Sequence, residues 1–139
     1  METMFHSCSS LYSMDFSNLD LRKVENMKKF CYYCDSLVSV NFTNTQTLNV
    51  TSYKRMFGYC ANLTSIELPN FKTSDINIMF YRCPNLEFID IRAVSCKKDY
   101  DYLFTSIGYG LYNNGTIIIN DNCSNFIQEK LPNWNIILG

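Results

Sequence analysis

An α/β repeat solenoid with one parallel β-sheet is the fold this sequence predicts. Three observations predict it. A short phrase recurs four times, as Cys8-Ser-Ser-Leu11, Cys34-Asp-Ser-Leu37, Cys60-Ala-Asn-Leu63 and Cys83-Pro-Asn-Leu86, at spacings of 26, 26 and 23 residues. Each phrase runs on as apolar, polar, apolar: Met14-Asp15-Phe16, Val40-Asn41-Phe42, Ile66-Glu67-Leu68 and Ile89-Asp90-Ile91. Each cysteine is preceded by an apolar pair, Met4-Phe5, Phe30-Cys31, Met56-Phe57 and Met79-Phe80. A repeat of this period buries its apolar face only against its neighbours, so the units must stack.

The strands come first. Alternation of period two around Met14, Val40, Ile66 and Ile89 predicts strands near residues 12–16, 38–42, 64–68 and 87–91. Stacked in parallel about 4.8 Å apart, they align Leu11, Leu37, Leu63 and Leu86 as one buried row. Met14, Val40, Ile66 and Ile89 form a second row, and Phe16, Phe42, Leu68 and Ile91 a third. Each strand is followed by a return segment, predicted as short helical or 3₁₀ turns. The third unit lacks three residues there, about one 3₁₀ turn. The apolar pair closes the coil as the opposite wall. A decayed copy follows at Leu103-Phe104, with Ile107 at the cysteine position. The match of Met1-x-x-Met4-Phe5 to Met27-x-x-Phe30-Cys31 makes the chain start inside a repeat.

The array thus covers residues 1–104, and residues 105–139 read as a C-terminal strand–helix–strand cap within the same domain. Asn113-Asn114-Gly115 signals a turn and Thr116–Ile119 a strand. Residues 122–130 suit a short helix with Ser124 as N-cap and Pro132 just beyond its end. Trp134 to Leu138 supplies the last apolar segment, with Trp134 as its anchor. Such a unit is needed to cover the final open core face.

Composition narrows the function classes. Nearly half of the 139 residues are hydrophobic, which argues against disorder. Twelve basic and thirteen acidic residues leave a net charge of −1, with no basic excess calling for nucleic acid. No apolar run reaches membrane-spanning length, and the first residues do not read as a secretory signal. The single histidine and the lack of a nucleophile–base pair, phosphate loop or paired carboxylates predict a non-enzyme without cofactor. The sequons at Asn41, Asn49, Asn62, Asn114 and Asn122 are common in so Asn- and Thr-rich a chain.

Seven cysteines raise the question of a metal or redox site, most of all at Cys31-x-x-Cys34. A zinc site would need two more ligands, and His6 lies one repeat away. The expectation is instead a ladder, Cys8, Cys34, Cys60 and Cys83, of buried free thiols that fill space and need no partner for the sulfur. Cys96 and Cys123 stand outside it, and a bridge between them is open.

Two surfaces repeat in register while their residue identities vary. The outward strand face carries Ser13, Asp15, Ser39, Asn41, Ser65, Glu67, Phe88 and Asp90, with Phe88 the one large apolar side chain among polar ones. The outer ridge carries Tyr32, Tyr33, Tyr59 and Tyr81, between the apolar pair and the cysteine. Exposed tyrosines at a regular spacing are the kind of side chain that anchors a partner.

The phrase Met-Phe-x-x-Cys-x-x-Leu-x-x-apolar-Asp-apolar, with its Asn/Ser/Thr-rich return, resembles the BspA-like leucine-rich repeats, including the mycoplasma-type surface-protein repeats. Residues 1–104 carry the resemblance, and Gly115–Ile119 with Trp134-Asn-Ile resembles the closing segment of such proteins. The resemblance implies a leucine-rich repeat solenoid in a surface or secreted protein that binds host or microbial partners by adhesion. The function expected is therefore a binding module for a protein or glycan, with no nucleic acid and no membrane insertion. The alternative is a small structural component of a larger assembly, such as a phage or viral particle or a surface layer.

Overall fold

The computed structural model describes residues 1–68, 70–71, 75–94 and 114–139. Among them six strands form one all-parallel sheet in chain order: β1 (Ser13–Asp15), β2 (Ser39–Asn41), β3 (Ser65–Glu67), β4 (Phe88–Asp90), β5 (Thr116–Ile119) and β6 (Asn135–Leu138). The register is the one the repeat dictates: Met14 opposite Val40, Val40 opposite Ile66, Ile66 opposite Ile89, Ile89 opposite Ile117. The chain is a repeat solenoid, and its sheet continues through the tail. The decayed copy at Leu103-Phe104 and Ile107, and Asn113 of the turn, lie outside the described residues.

The predicted rows form the core. Leu37, Leu63 and Leu86 are fully buried, as are Phe42, Phe57 and Phe80. Phe16 and Phe42 stack at 5.0 Å between ring centres, and Tyr53 and Phe71 at 4.5 Å. The first coil differs. Phe5, Cys8, Leu11 and Met14 are only partly buried, because no coil covers their outer side. Cys8 is thus half-buried, against expectation, whereas Cys34, Cys60 and Cys83 are fully enclosed.

The wall opposite the sheet corrects the expected helical return. In each described coil it is a run of overlapping turns rather than a 3₁₀ helix. Alternate amides bond within the coil, as Phe30 N to Met27 O and Tyr32 N to Lys29 O. The intervening amides reach the next coil: Lys29 N to Lys54 O, Cys31 N to Met56 O, Tyr33 N to Gly58 O. To turn those amides along the solenoid axis, two residues per coil take left-handed conformations: Thr3 and Ser7, Lys29 and Tyr33, Arg55 and Tyr59, Ile78 and Arg82. Such a conformation costs a non-glycine residue about 1–2 kcal/mol, offset here by the inter-coil hydrogen bonds. The wall is a second hydrogen-bonded ladder, invisible to hydropathy because its amides do the stitching.

The cysteine ladder also corrects an expectation, since the sulfur has a partner. The Cys34 thiol donates to the Phe5 carbonyl at 2.9 Å, Cys60 to Cys31 at 3.1 Å and Cys83 to Phe57 at 2.9 Å. Each thiol thus ties its coil to the one before. Cys31 Sγ lies beside the Cys34 thiol and also reaches Met14 Sδ, 3.5 Å away. Cys123 is buried and disulfide-bonded; Cys96 lies outside the described residues.

In the tail, a 3₁₀ turn (Asp121–Cys123) leads into α1 (Ser124–Lys130). Ser124 is the first helical residue instead of the N-cap, and Asn120 caps the turn by accepting from Asn122 N. Trp134 is buried against Gly115, where a Cβ would come within 2.7 Å of the indole ring. Only glycine admits that approach.

Candidate functional site

The outward strand face and the tyrosine ridge meet different fates. On the strand face Ser13, Asp15, Asn41 and Glu67 are exposed, while Ser39, Ser65 and Phe88 are half-buried. Asp90 departs from its expected outward position, being only 3% exposed. Its carboxylate is gripped by Arg92, Nε to Oδ1 at 3.0 Å and Nη2 to Oδ2 at 2.7 Å. That pairing offsets the repulsion of Asp90 from Glu67, its neighbour on the adjacent strand. Three of the four residues ending the strands have structural work to do. Asp15 accepts from Ser17 N at 2.8 Å, Asn41 from Thr43 N at 2.9 Å and Asp90 from Arg92 N at 3.2 Å. A short side-chain oxygen bonding the amide two residues on is how Asx residues turn a chain. Hydrogen bonds from the Ser17 side chain and then its amide hold Asp15 below the usual carboxylate range. The polar row is largely explained by turning the chain at the end of each strand.

The ridge is built on the turn wall. Tyr33 and Tyr59 occupy equivalent left-handed positions in successive coils, with φ of 62° and 61°. Their rings stack at 4.3 Å and 18°. Tyr81 follows edge-on to Tyr59 at 5.2 Å, and Tyr32 stands edge-on to Tyr33 at 4.7 Å. His6 extends the row, 5.5 Å from Tyr32. The four tyrosines therefore form one continuous aromatic cluster across three coils. Tyr32 departs from the expected exposure, being 9% exposed because its ring lies over Gly58 of the next coil. Tyr33 is the most open at 40%, and Tyr59 and Tyr81 are half-buried. Hydrogen bonding to Tyr33, then desolvation and Tyr81, pushes the Tyr59 phenol up to about 12.

A third group was not singled out from the sequence. Lys28, Lys29, Lys54, Arg55 and Arg82 lie on the same wall as the tyrosines. Lys29 sits 5.5 Å from the centre of the Tyr32 ring, and Arg82 lies 5.3 Å from Tyr59 and 5.8 Å from Tyr81. The signal was present as basic residues just before the apolar pair, in Lys28-Lys29-Phe30 and Lys54-Arg55-Met56. Whole-chain neutrality hid it.

Among the described residues there is no cluster of His, Cys, Asp and Glu suited to a metal ion. No helix among them is long and apolar enough to cross a membrane. A shallow groove of about 440 Å³ lies at the entry to the strands, lined by Tyr12, Ser36, Val38, Asn62, Thr64, Asn85 and Glu87. Asn62 and Asn85 are engaged there with the preceding coil, donating to Asp35 O and Ala61 O, each at 2.8 Å.

Compared with known proteins, residues 1–106 match a family model described as a Mycoplasma protein of unknown function, DUF285. No curated protein and no solved structure matches the chain.

Proposed function

The chain belongs to this Mycoplasma family of unknown function, DUF285, and from that premise we propose that it is a non-enzymatic binding module that engages its partner through the tyrosine ridge. The observation that carries the reading is the stacked pair Tyr33–Tyr59, held at left-handed positions on a rigid wall. Tyrosine offers large contact area for little lost side-chain entropy. Stacking and inter-coil hydrogen bonds have already fixed these rings, so binding them costs less ordering. The strand face supports a partner less well, since Asp15, Asn41 and Asp90 are engaged in turns. The finer assignment proposed is a BspA-like leucine-rich repeat in an adhesive surface protein, its partner a protein or glycan.

A photo-crosslinking residue placed at Tyr33, with a second variant labelled at Ser13, tests this. The reading expects a discrete partner captured from Tyr33 and none from Ser13. Capture from Ser13 alone moves the site to the strand face.

A specific feature favours the second reading, a fixed component of a larger assembly such as a virion or surface layer. The first coil exposes Met4 at 54%, Tyr12 at 67% and Leu19 at 45%. With Leu48, Ile137 and Leu138 also exposed, these side chains offer apolar contact area suited to permanent docking. A component of that kind co-purifies at fixed stoichiometry, whereas a free binding module behaves as an independent species.

A further inference from the structure

The geometry points to an acidic protein segment as the ligand of the ridge, an assignment that rests on the ridge being the binding surface. Five cations stand on this wall: Lys28, Lys29, Lys54, Arg55 and Arg82. Glu2 is 4.0 Å from Lys28. Among the described residues no acid lies within salt-bridge distance of Lys29, Lys54, Arg55 or Arg82. The exposed acids Asp15, Glu67 and Glu87 belong to the sheet side, and Asp35 and Asp75, which border the wall, form no ion pair with these four cations. Lys29, Lys54, Arg55 and Arg82 thus present positive charge on one wall without an ion-pair partner among the described residues.

Two features orient that charge toward a ligand. Arg55 Nε is buried without a hydrogen-bond acceptor, which leaves the end of its guanidinium to meet one outside. Lys29 and Arg82 lie against tyrosine rings, which hold their charged heads beside the aromatic surface.

The class of ligand follows from how the rings are used. Tyr33 and Tyr59 stack on each other and Arg82 lies against Tyr59, so ring faces are already engaged and ring edges are offered. Nucleobases bind by stacking on free aromatic faces, which this arrangement does not supply. Tyrosine and arginine in combination are the side chains that dominate protein–protein contacts. Carboxylates of an acidic segment would pair with the free cations while its side-chain stems pack on the tyrosine edges.

The test is fluorescence anisotropy with a labelled Glu-rich peptide, with a Lys-rich peptide, oligothymidylate and heparin as comparators. The Glu-rich peptide should bind, lose affinity in added salt, and outcompete the other anions. Lys29→Gln with Arg82→Gln should weaken it roughly five- to tenfold at an unchanged thermal midpoint, while Arg82→Lys alone should retain binding. Unchanged affinity in the double variant, or tighter binding of oligothymidylate or heparin, overturns the assignment. If the Glu-rich peptide fails while Tyr33 still captures a partner, the acidic class is wrong and the ridge reading stands. If both fail, the ridge reading falls too.

Discussion

The ring of Tyr32 lies so close over Gly58 that a methyl group on the glycine would stand 2.6 Å from Cε2 and 2.7 Å from Cδ2. The two residues occupy the same place in successive coils, where the first coil has His6 and the fourth Tyr81. Gly58 is therefore the one vacancy in a row of rings, and Tyr32 fills it. Its backbone is not left-handed, so space and not conformation demands glycine.

Gly58→Ala should destabilise the protein by about 1–3 kcal/mol, the usual cost of overpacking. Tyr32→Ala in the same chain should relieve the clash, so that the double variant loses less than the sum of the singles. Urea denaturation of all four proteins measures the coupling, and strict additivity would show that Tyr32 yields freely.

The cysteine ladder should be graded. Labelling of Cys34, Cys60 and Cys83 should be slow in the native state and rapid in denaturant, while Cys8 reacts first. Cys60→Ala should cost about 2 kcal/mol, combining lost packing with an unpaired Cys31 carbonyl. Cys8→Ala, at the half-buried end, should cost about 0.5 kcal/mol or less. Equal costs would mean that the thiol bonds to the preceding coil contribute nothing.

Two Asp–Arg forks share one geometry and differ in burial. In Asp20–Arg22 both side chains are 60% exposed; in Asp90–Arg92 the carboxylate is 4% exposed and the arginine 44%. Arg22→Ala should cost about 0–0.5 kcal/mol, as exposed pairs do. Arg92→Ala strands a buried carboxylate and should cost about 1–2 kcal/mol, less than a fully buried pair because water reaches the arginine. Thermal denaturation at low and high salt separates them.

Alkali should unfold the protein through its buried acids. Burial pushes Tyr53 from 10.0 up to about 12 and Cys83 from 9.0 up to about 12. Both raised values mean the fold retains protons that the unfolded chain releases. Their contribution is complete below about pH 9 and is lost as pH rises from there through about 12. Urea midpoints across that window should fall, and Tyr53→Phe should flatten the decline above about pH 10.

The recurring Cys-x-x-Leu-x-x-apolar phrase by itself determined the strands, their parallel order and the core rows. Spacing fixes which residues share a face, and a face repeated every coil can be buried only by stacking. Phe42, Leu63 and Ile89 are legible in that way, and so is Trp134 as the anchor of the tail. Other features depend on what the neighbouring coil places opposite. The thiol bond of Cys60 depends on the Cys31 carbonyl, and the burial of Tyr32 on the absence of a side chain at Gly58. Arg92, two residues on, draws Asp90 inward, while Asp20 makes the same fork in the open. The left-handed turns at Lys29, Tyr33, Arg55 and Tyr59 arise because their amides must point along the solenoid axis. Hydropathy reports where side chains go and is silent about amides. For that reason only the tertiary structure brought the cations and the tyrosines together on one wall.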